Sequence, residues 1–249
     1  MTEKEILTVV RRHFSNALST SETVHRMLDL IHEHYNIRPN QIMLADSICS
    51  DDVNTMEYPQ RAYEMLGPFK MGGLNGFPFT GLTGMNAFAH HVPEDGAVFI
   101  YYAPHIGITK EGVTGEINRV GQQKPSACCG AAKAALTKLL NGSIQEGMIS
   151  ELDYQQNTIE QIFHRQEDRI LTSTNPILEA TMVMYEAIND RINLLVSKTD
   201  YPCKYLILMG GILINGDFDM GSFNACQRFD VIDLKSRSSR SLMQQLLAT

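Results

Sequence analysis

Residues able to hold a soft cation stand at three places in this sequence: Cys49 in Ser47-Ile48-Cys49-Ser50-Asp51-Asp52, His105 in Ala103-Pro104-His105-Ile106-Gly107, and the tandem pair Cys128-Cys129 before Gly130. Two thiolates and one imidazole are a known ligand set for catalytic zinc, which keeps a fourth position open for water or substrate. Cys128-Cys129 opens an alanine-rich stretch with helical character. A thiolate there is favoured by the helix dipole and the free N–H groups, so a lowered pKa is expected at Cys128 or Cys129. The residues are too far apart in sequence to form a compact metal signature. Two other readings stay open: the cysteines are small buried hydrophobes beside a hydrogen-bonded histidine, or one of the pair is a nucleophile with His105 as its base, the arrangement of an acyl-transfer thiol enzyme.

The elements that must position these groups read as α/β. Ile42–Ile48 and Ala97–Ala103 are short apolar runs bounded by turn residues and predict buried strands. Tyr205–Ile214 and Phe229–Leu234 add two more. Helices are predicted over Gly130–Leu140, with Gly142 as its stop, over Gln156–Phe163, and over Ile177–Val196. For the last, Asn175 is the expected N-cap and Pro176 the first helical residue. Ile6, Leu7, Val10, Phe14 and Leu18, then Val24, Met27, Leu28, Ile31 and Tyr35, recur at helical spacing and predict an N-terminal helical arm over residues 1–40, a lid or wrapping arm. The fold expected is a single α/β domain over 1–249, with a central mixed or mostly parallel sheet in 41–249 flanked by helices. In such sheets sites form beyond the carboxyl ends of the strands. Six glycines and three phenylalanines between Gly67 and Gly84 predict a long structured loop brought close to a functional site.

Composition closes off other classes. A chain of 249 residues with 43% hydrophobic and 20% charged residues folds around a core. A net charge of −7 opposes binding to nucleic acid or anionic membranes. No apolar stretch is long enough to span a bilayer. Five cysteines, an odd number, fit a reducing compartment better than a disulfide framework. Met1 followed by acidic Glu3 and Glu5 does not read as a transit peptide, so the cytoplasm is expected, or a plastid if such a peptide was removed.

Ile48-Cys49-Ser50-Asp51-Asp52-Val53-Asn54, the run from Gly67 to Gly81 (Gly-Pro-Phe-Lys-Met-Gly-Gly-Leu-Asn-Gly-Phe-Pro-Phe-Thr-Gly), Tyr101-Tyr102-Ala103-Pro104-His105-Ile106-Gly107 and Ala127-Cys128-Cys129-Gly130-Ala131 together resemble the limiting-CO2-inducible B family, also called theta-class carbonic anhydrases. The resemblance implies a β-carbonic-anhydrase-like site, usually in a homodimer, with zinc on Cys49, His105 and one of the Cys128-Cys129 pair, Cys129 being preferred. It implies reversible hydration of CO2 by hydroxide generated on that zinc near neutral pH, with Asp51 orienting the hydroxyl.

Asp51 matches the aspartate of a Cys-x-Asp-x-Arg pattern whose arginine is absent here, since Val53 takes its place. Arg61 and Arg119 are the candidate replacements, and Arg61 joins Asp51 and His90 in the expected catalytic set. Without a substitute, Asp51 would itself reach the cation. The chain would then be a silent zinc protein that senses bicarbonate or scaffolds CO2 handling. His90 and His91 are expected as proton relays, since imidazole titrates near working pH. Gly72, Gly73, Phe77 and Phe79 are expected to line a dry substrate pocket. Cys203 and Cys226 are expected to be structural.

Overall fold

Short β-branched and aromatic runs alternate with amphipathic stretches, and the chain folds into strands and helices accordingly. The computed structural model describes residues 3–54 and 58–248. In chain order the elements are α1 (Glu3–Arg11), β1 (Leu18–Ser19), α2 (Thr20–Tyr35), β2 (Ile42–Ser47), β3 (Leu66–Lys70), α3 (Gly81–Ala89), β4 (Ala97–Tyr102), β5 (His105–Ile108), β6 (Glu116–Ile117) and β7 (Ser126–Ala127). There follow α4 (Gly130–Leu140), α5 (Tyr154–His164), α6 (Glu167–Leu171), α7 (Pro176–Val196), β8 (Tyr205–Gly216), β9 (Ser222–Asp233), β10 (Ser239–Ser241) and α8 (Met243–Leu247).

The main sheet runs β1-β9-β8-β4-β2-β3, with β5 also on β8 and β10 on β9. Strands β3, β2, β4, β5 and β8 are mutually parallel, and β9 is antiparallel to β8. Successive side chains alternate between two cores. Val98, Ile100, Leu206 and Leu208 face a layer that includes α4, α5 and α7. Phe99, Ile207 and Met209 face α2 and α8. The first forty residues, expected as one arm, divide between these layers: Val9 and Val10 of α1 enter the first core, Met27, Leu28 and Ile31 of α2 the second.

Asn175 caps α7 by accepting from Leu178 N, with Pro176 at the first helical position. Three elements differ from their sequence patterns. The first helix stops at Arg11, and Leu18, expected on its stripe, instead pairs with Asn224. The glycine-phenylalanine stretch is not one loop. It holds the edge strand β3 and the start of α3, because an edge strand tolerates the proline and glycine that a central one excludes. Strand β9 begins at Ser222, well before the expected Phe229, since the polar residues Asn224, Gln227 and Arg228 mask its periodicity.

Two breaks at the carboxyl ends of the parallel strands create the site. Strands β4 and β5 continue one path along β8, interrupted at Ala103-Pro104, where Leu213 N donates to the Pro104 carbonyl at 3.0 Å. The restart places His105 opposite Leu213. Strand β2 ends at Ser47 and delivers Cys49 beside it.

Candidate metal centre

Cys49, His105 and Cys129 are all buried, and their donor atoms lie within 4.8 Å of one another. Cys129 is the N-cap of α4, and its Sγ is 3.8 Å from Cys49 Sγ. Cys49 Sγ also accepts a 3.1 Å hydrogen bond from the backbone N–H of Asn75. That N–H is aimed by a turn in which Asn75 is left-handed, with φ 51°, a conformation that asparagine tolerates better than most residues. On His105, Nδ1 donates to Asn215 Oδ1 at 2.8 Å, while Nε2 is buried with no hydrogen-bond partner among the described residues. Cys128 lies on the Nδ1 side, its Sγ 3.5 Å from that nitrogen. The pair that the sequence left open therefore divides: Cys129 stands with Cys49, and Cys128 behind the ring.

Asp51 Oδ2 is 3.9 Å from His105 Nε2. The guanidinium facing it is Arg119, from the segment between β6 and β7, whose Nη2 contacts both carboxylate oxygens at 3.0 and 3.1 Å. The same guanidinium also bonds Asp52 and Ser126 Oγ. Arg61, the other candidate for this place and the one expected in the catalytic set, is turned away. It pairs with Asp29 at 2.6 Å and lies near Glu64, because the 3-10 turn Gln60–Glu64 packs along α2.

The expected relay histidines are also elsewhere. His90 and His91 are exposed at the carboxyl end of α3. That helix runs back toward the amino ends of the strands, whereas the cluster lies beyond their carboxyl ends. Gly72 and Gly73 do sit where backbone passes close, but to protein: a Cβ on Gly72 would fall 2.1 Å from the Ile48 carbonyl oxygen. Phe77 packs on Phe79, and Phe79 on Tyr154 of α5. These rings thus pack toward α5, and Phe77 also packs against the core cluster that holds Cys49 and Cys129.

The electrostatics run opposite to the helix-dipole expectation. The hydrogen bond from Cys129, and secondarily His105, holds the Cys49 thiol below its ordinary range, while the same bond and burial push Cys129 well up. Burial alone would lower His105, yet the sulfurs around it raise it well above the usual imidazole range. Asp51 is raised by burial and its neighbour Asp52, against the pull of His105 and Arg119. Protons thus sit where a cation would otherwise satisfy two sulfurs and a nitrogen.

The donor set fits zinc. Zn–S bonds of about 2.3 Å at the tetrahedral angle put two sulfurs about 3.8 Å apart, the separation found here, and the unpartnered Nε2 supplies the nitrogen. A second overlapping set, Asp51, His105 and Cys128, also falls within 4.8 Å.

Residues 18–233 match the family model described as limiting CO2-inducible proteins B/C beta carbonic anhydrases. The chain belongs to this family. Among solved structures it is similar to PtLCIB4, a homolog of the limiting CO2-inducible protein LCIB, with 29% identity over 94% of this chain and 98% of that one and a TM-score of 0.82. A mutant of the same protein superposes with a TM-score of 0.84 at 28% identity, covering 96% and 99%. LCIB itself, at 18% identity over 92% and 95% and a TM-score of 0.67, shares the fold. A comparison with curated proteins finds no match. The resemblance to the limiting CO2-inducible B family, and the mostly parallel sheet with flanking helices, are thus borne out.

In this family member, two residues that touch the candidate ligands carry little signal in the sequence. Asn215 stands out only as a polar residue ending the apolar run of β8. Asn75 is hidden in a glycine-rich stretch. Among the described residues, no helix is long and apolar enough to cross a membrane.

Proposed function

We propose that the chain catalyses the reversible hydration of CO2 with a zinc ion held by Cys49, His105 and Cys129. The observation that carries this reading is the unpartnered Nε2 of His105 facing two sulfurs and an arginine-held carboxylate. When bound, zinc supplies an acidified water, making hydroxide available near neutral pH. The protein's own contribution is positional. Asp51 would orient the attacking hydroxyl by accepting its hydrogen bond. Arg119, bonded to both Asp51 oxygens, keeps that carboxylate in place and off the cation, the task otherwise given to the missing arginine at Val53. Asn215 and the Asn75 N–H orient the ligands, as outer partners do at metal sites.

The Arg119 contact weakens the case for a silent zinc protein, which rested on an unpartnered Asp51. A thiol enzyme is disfavoured because Cys128 and Cys129 are buried, out of reach of an acyl substrate. A homodimer remains part of the proposal by family resemblance, and a cytoplasmic location from the sequence reading of the N-terminus and cysteines. Stopped-flow CO2 hydration on protein of measured zinc content tests the reading: a zinc-dependent rate is expected, and zinc-replete protein with no rate above buffer between pH 6 and 9 contradicts it.

A further inference from the structure

His105 belongs to two overlapping ligand sets. One joins it to Cys49 and Cys129, the other to Asp51 and Cys128. The second set straddles the ring, for Asp51 Oδ2 is 3.9 Å from Nε2, on the side of Cys49 and Cys129. With Cys49 and Cys129 the free nitrogen is Nε2. Cys128 lies instead against Nδ1, at 3.5 Å.

One side chain stands between these outcomes. Asn215 Oδ1 accepts the Nδ1 proton at 2.8 Å and is 3.6 Å from Cys128 Sγ. Its own amide is fixed in turn: Nδ2 donates to Asn54 Oδ1 at 3.1 Å, and Asn54 Nδ2 reaches the Cys49 carbonyl at 3.5 Å. A chain of amides thus runs from one ligand residue to the other, Cys49 to Asn54 to Asn215 to His105, and Asn215 is buried. An amide oxygen whose NH2 is already committed cannot turn to offer a donor, so Nδ1 must carry the proton.

We propose that Asn215 is a positioning residue that selects between the two sets. By holding the proton on Nδ1 it commits Nε2 to the ion shared with Cys49 and Cys129 and leaves Cys128 a spectator. This inference rests on the reading that the cluster binds a divalent ion, and the test separates the two.

Zinc affinity is measured by chelator competition, and cobalt(II) replaces zinc so that sulfur-to-metal absorption counts the thiolates. The wild type is expected to bind one ion through two thiolates, and Cys128→Ser to match it within about twofold. Asn215→Leu is expected to bind roughly 10- to 100-fold more weakly, the usual cost of losing an outer partner. In that background Cys128→Ser should weaken binding about tenfold further, because Nδ1 and Cys128 are then free to join the ion. Asn215→Asp, which keeps an acceptor for Nδ1, should recover most of the lost affinity.

A measurement needing no variant guards against a leucine protein that fails to fold. Nitrogen-proton NMR of zinc-loaded wild type should show His105 protonated at Nδ1 and not at Nε2. A proton on Nε2, or a Cys128→Ser effect equal in both backgrounds, overturns the selector role and leaves the metal reading standing. Wild type that takes up neither zinc nor cobalt overturns both.

Discussion

Arg119→Gln removes the guanidinium from Asp51 while keeping a polar side chain of similar reach. The native contact is two hydrogen bonds of 3.0 and 3.1 Å to the two carboxylate oxygens, with the Arg119 and Asp51 side chains only 16% and 14% exposed. Removing one partner of a fully buried ion pair costs about 3–5 kcal/mol. Discounting for the residual exposure gives about 2–3 kcal/mol of lost folding stability, and releasing Asp51 from its outer partner should cost roughly 10- to 100-fold in kcat/KM. Burial and Asp52 already raise the Asp51 carboxyl, and Arg119 opposes them. The variant's carboxyl should therefore titrate higher still, and because the carboxylate is the working form, its residual activity should rise at higher pH than in the wild type. Arg119→Lys should restore only part of the rate, since a point charge does not reproduce the two-pronged contact. The assay is stopped-flow CO2 hydration from pH 6 to 9 on samples matched for zinc. A glutamine variant within twofold of wild type at full zinc content refutes the role given to Arg119; loss of zinc in that variant would make the residue structural instead.

Arg61→Ala and His90→Ala should each leave hydration rates within about twofold of wild type, since Arg61 is engaged with Asp29 and His90 is exposed at the other end of the sheet; a tenfold loss in either would restore the expectation drawn from sequence. Cys226 is pushed up to about 12 by burial, from 9. The folded state therefore favours the neutral thiol, so its stability contribution is complete below pH 9 and is lost as pH rises toward 12, about 1.4 kcal/mol per unit. Urea unfolding at pH 8 and 10 should show a pH-dependent loss that Cys226→Ala reduces by roughly that amount, and an unchanged loss would refute it. Zinc binding should release protons from Cys129 and His105, both raised in the metal-free cluster, so affinity should increase with pH; calorimetry in buffers of different ionisation enthalpy reads the proton count, and none released would contradict the charge assignment.

Much of the fold was legible because its signals are local. Asn175-Pro176 at the start of α7 and the apolar run Ala97–Tyr102 each specify an element within a few residues. Strand β3 and the first half of β9 were not, because pairing with β2 and β8 overrides their composition, a tertiary effect that propensity does not register. The site divides the same way. Cys49, His105 and Cys129 were readable as types at element ends, within a motif order shared with the family. The choice of guanidinium on Asp51 between the two candidates was not: Arg61 is nearer in sequence, yet the segment between β6 and β7 brings in Arg119 from 68 positions along the chain. The dipole expected at Cys129 was outweighed by burial and by the sulfur beside it, which only the folded chain brings there.

The most direct measurement is X-ray absorption at the zinc edge on the purified protein, with metal content counted beside it. One zinc per chain is expected, with two sulfur neighbours near 2.3 Å and one imidazole nitrogen near 2.0 Å, and the signal should vanish in Cys49→Ser. A metal-free protein, or zinc with no sulfur neighbours, would contradict the central claim.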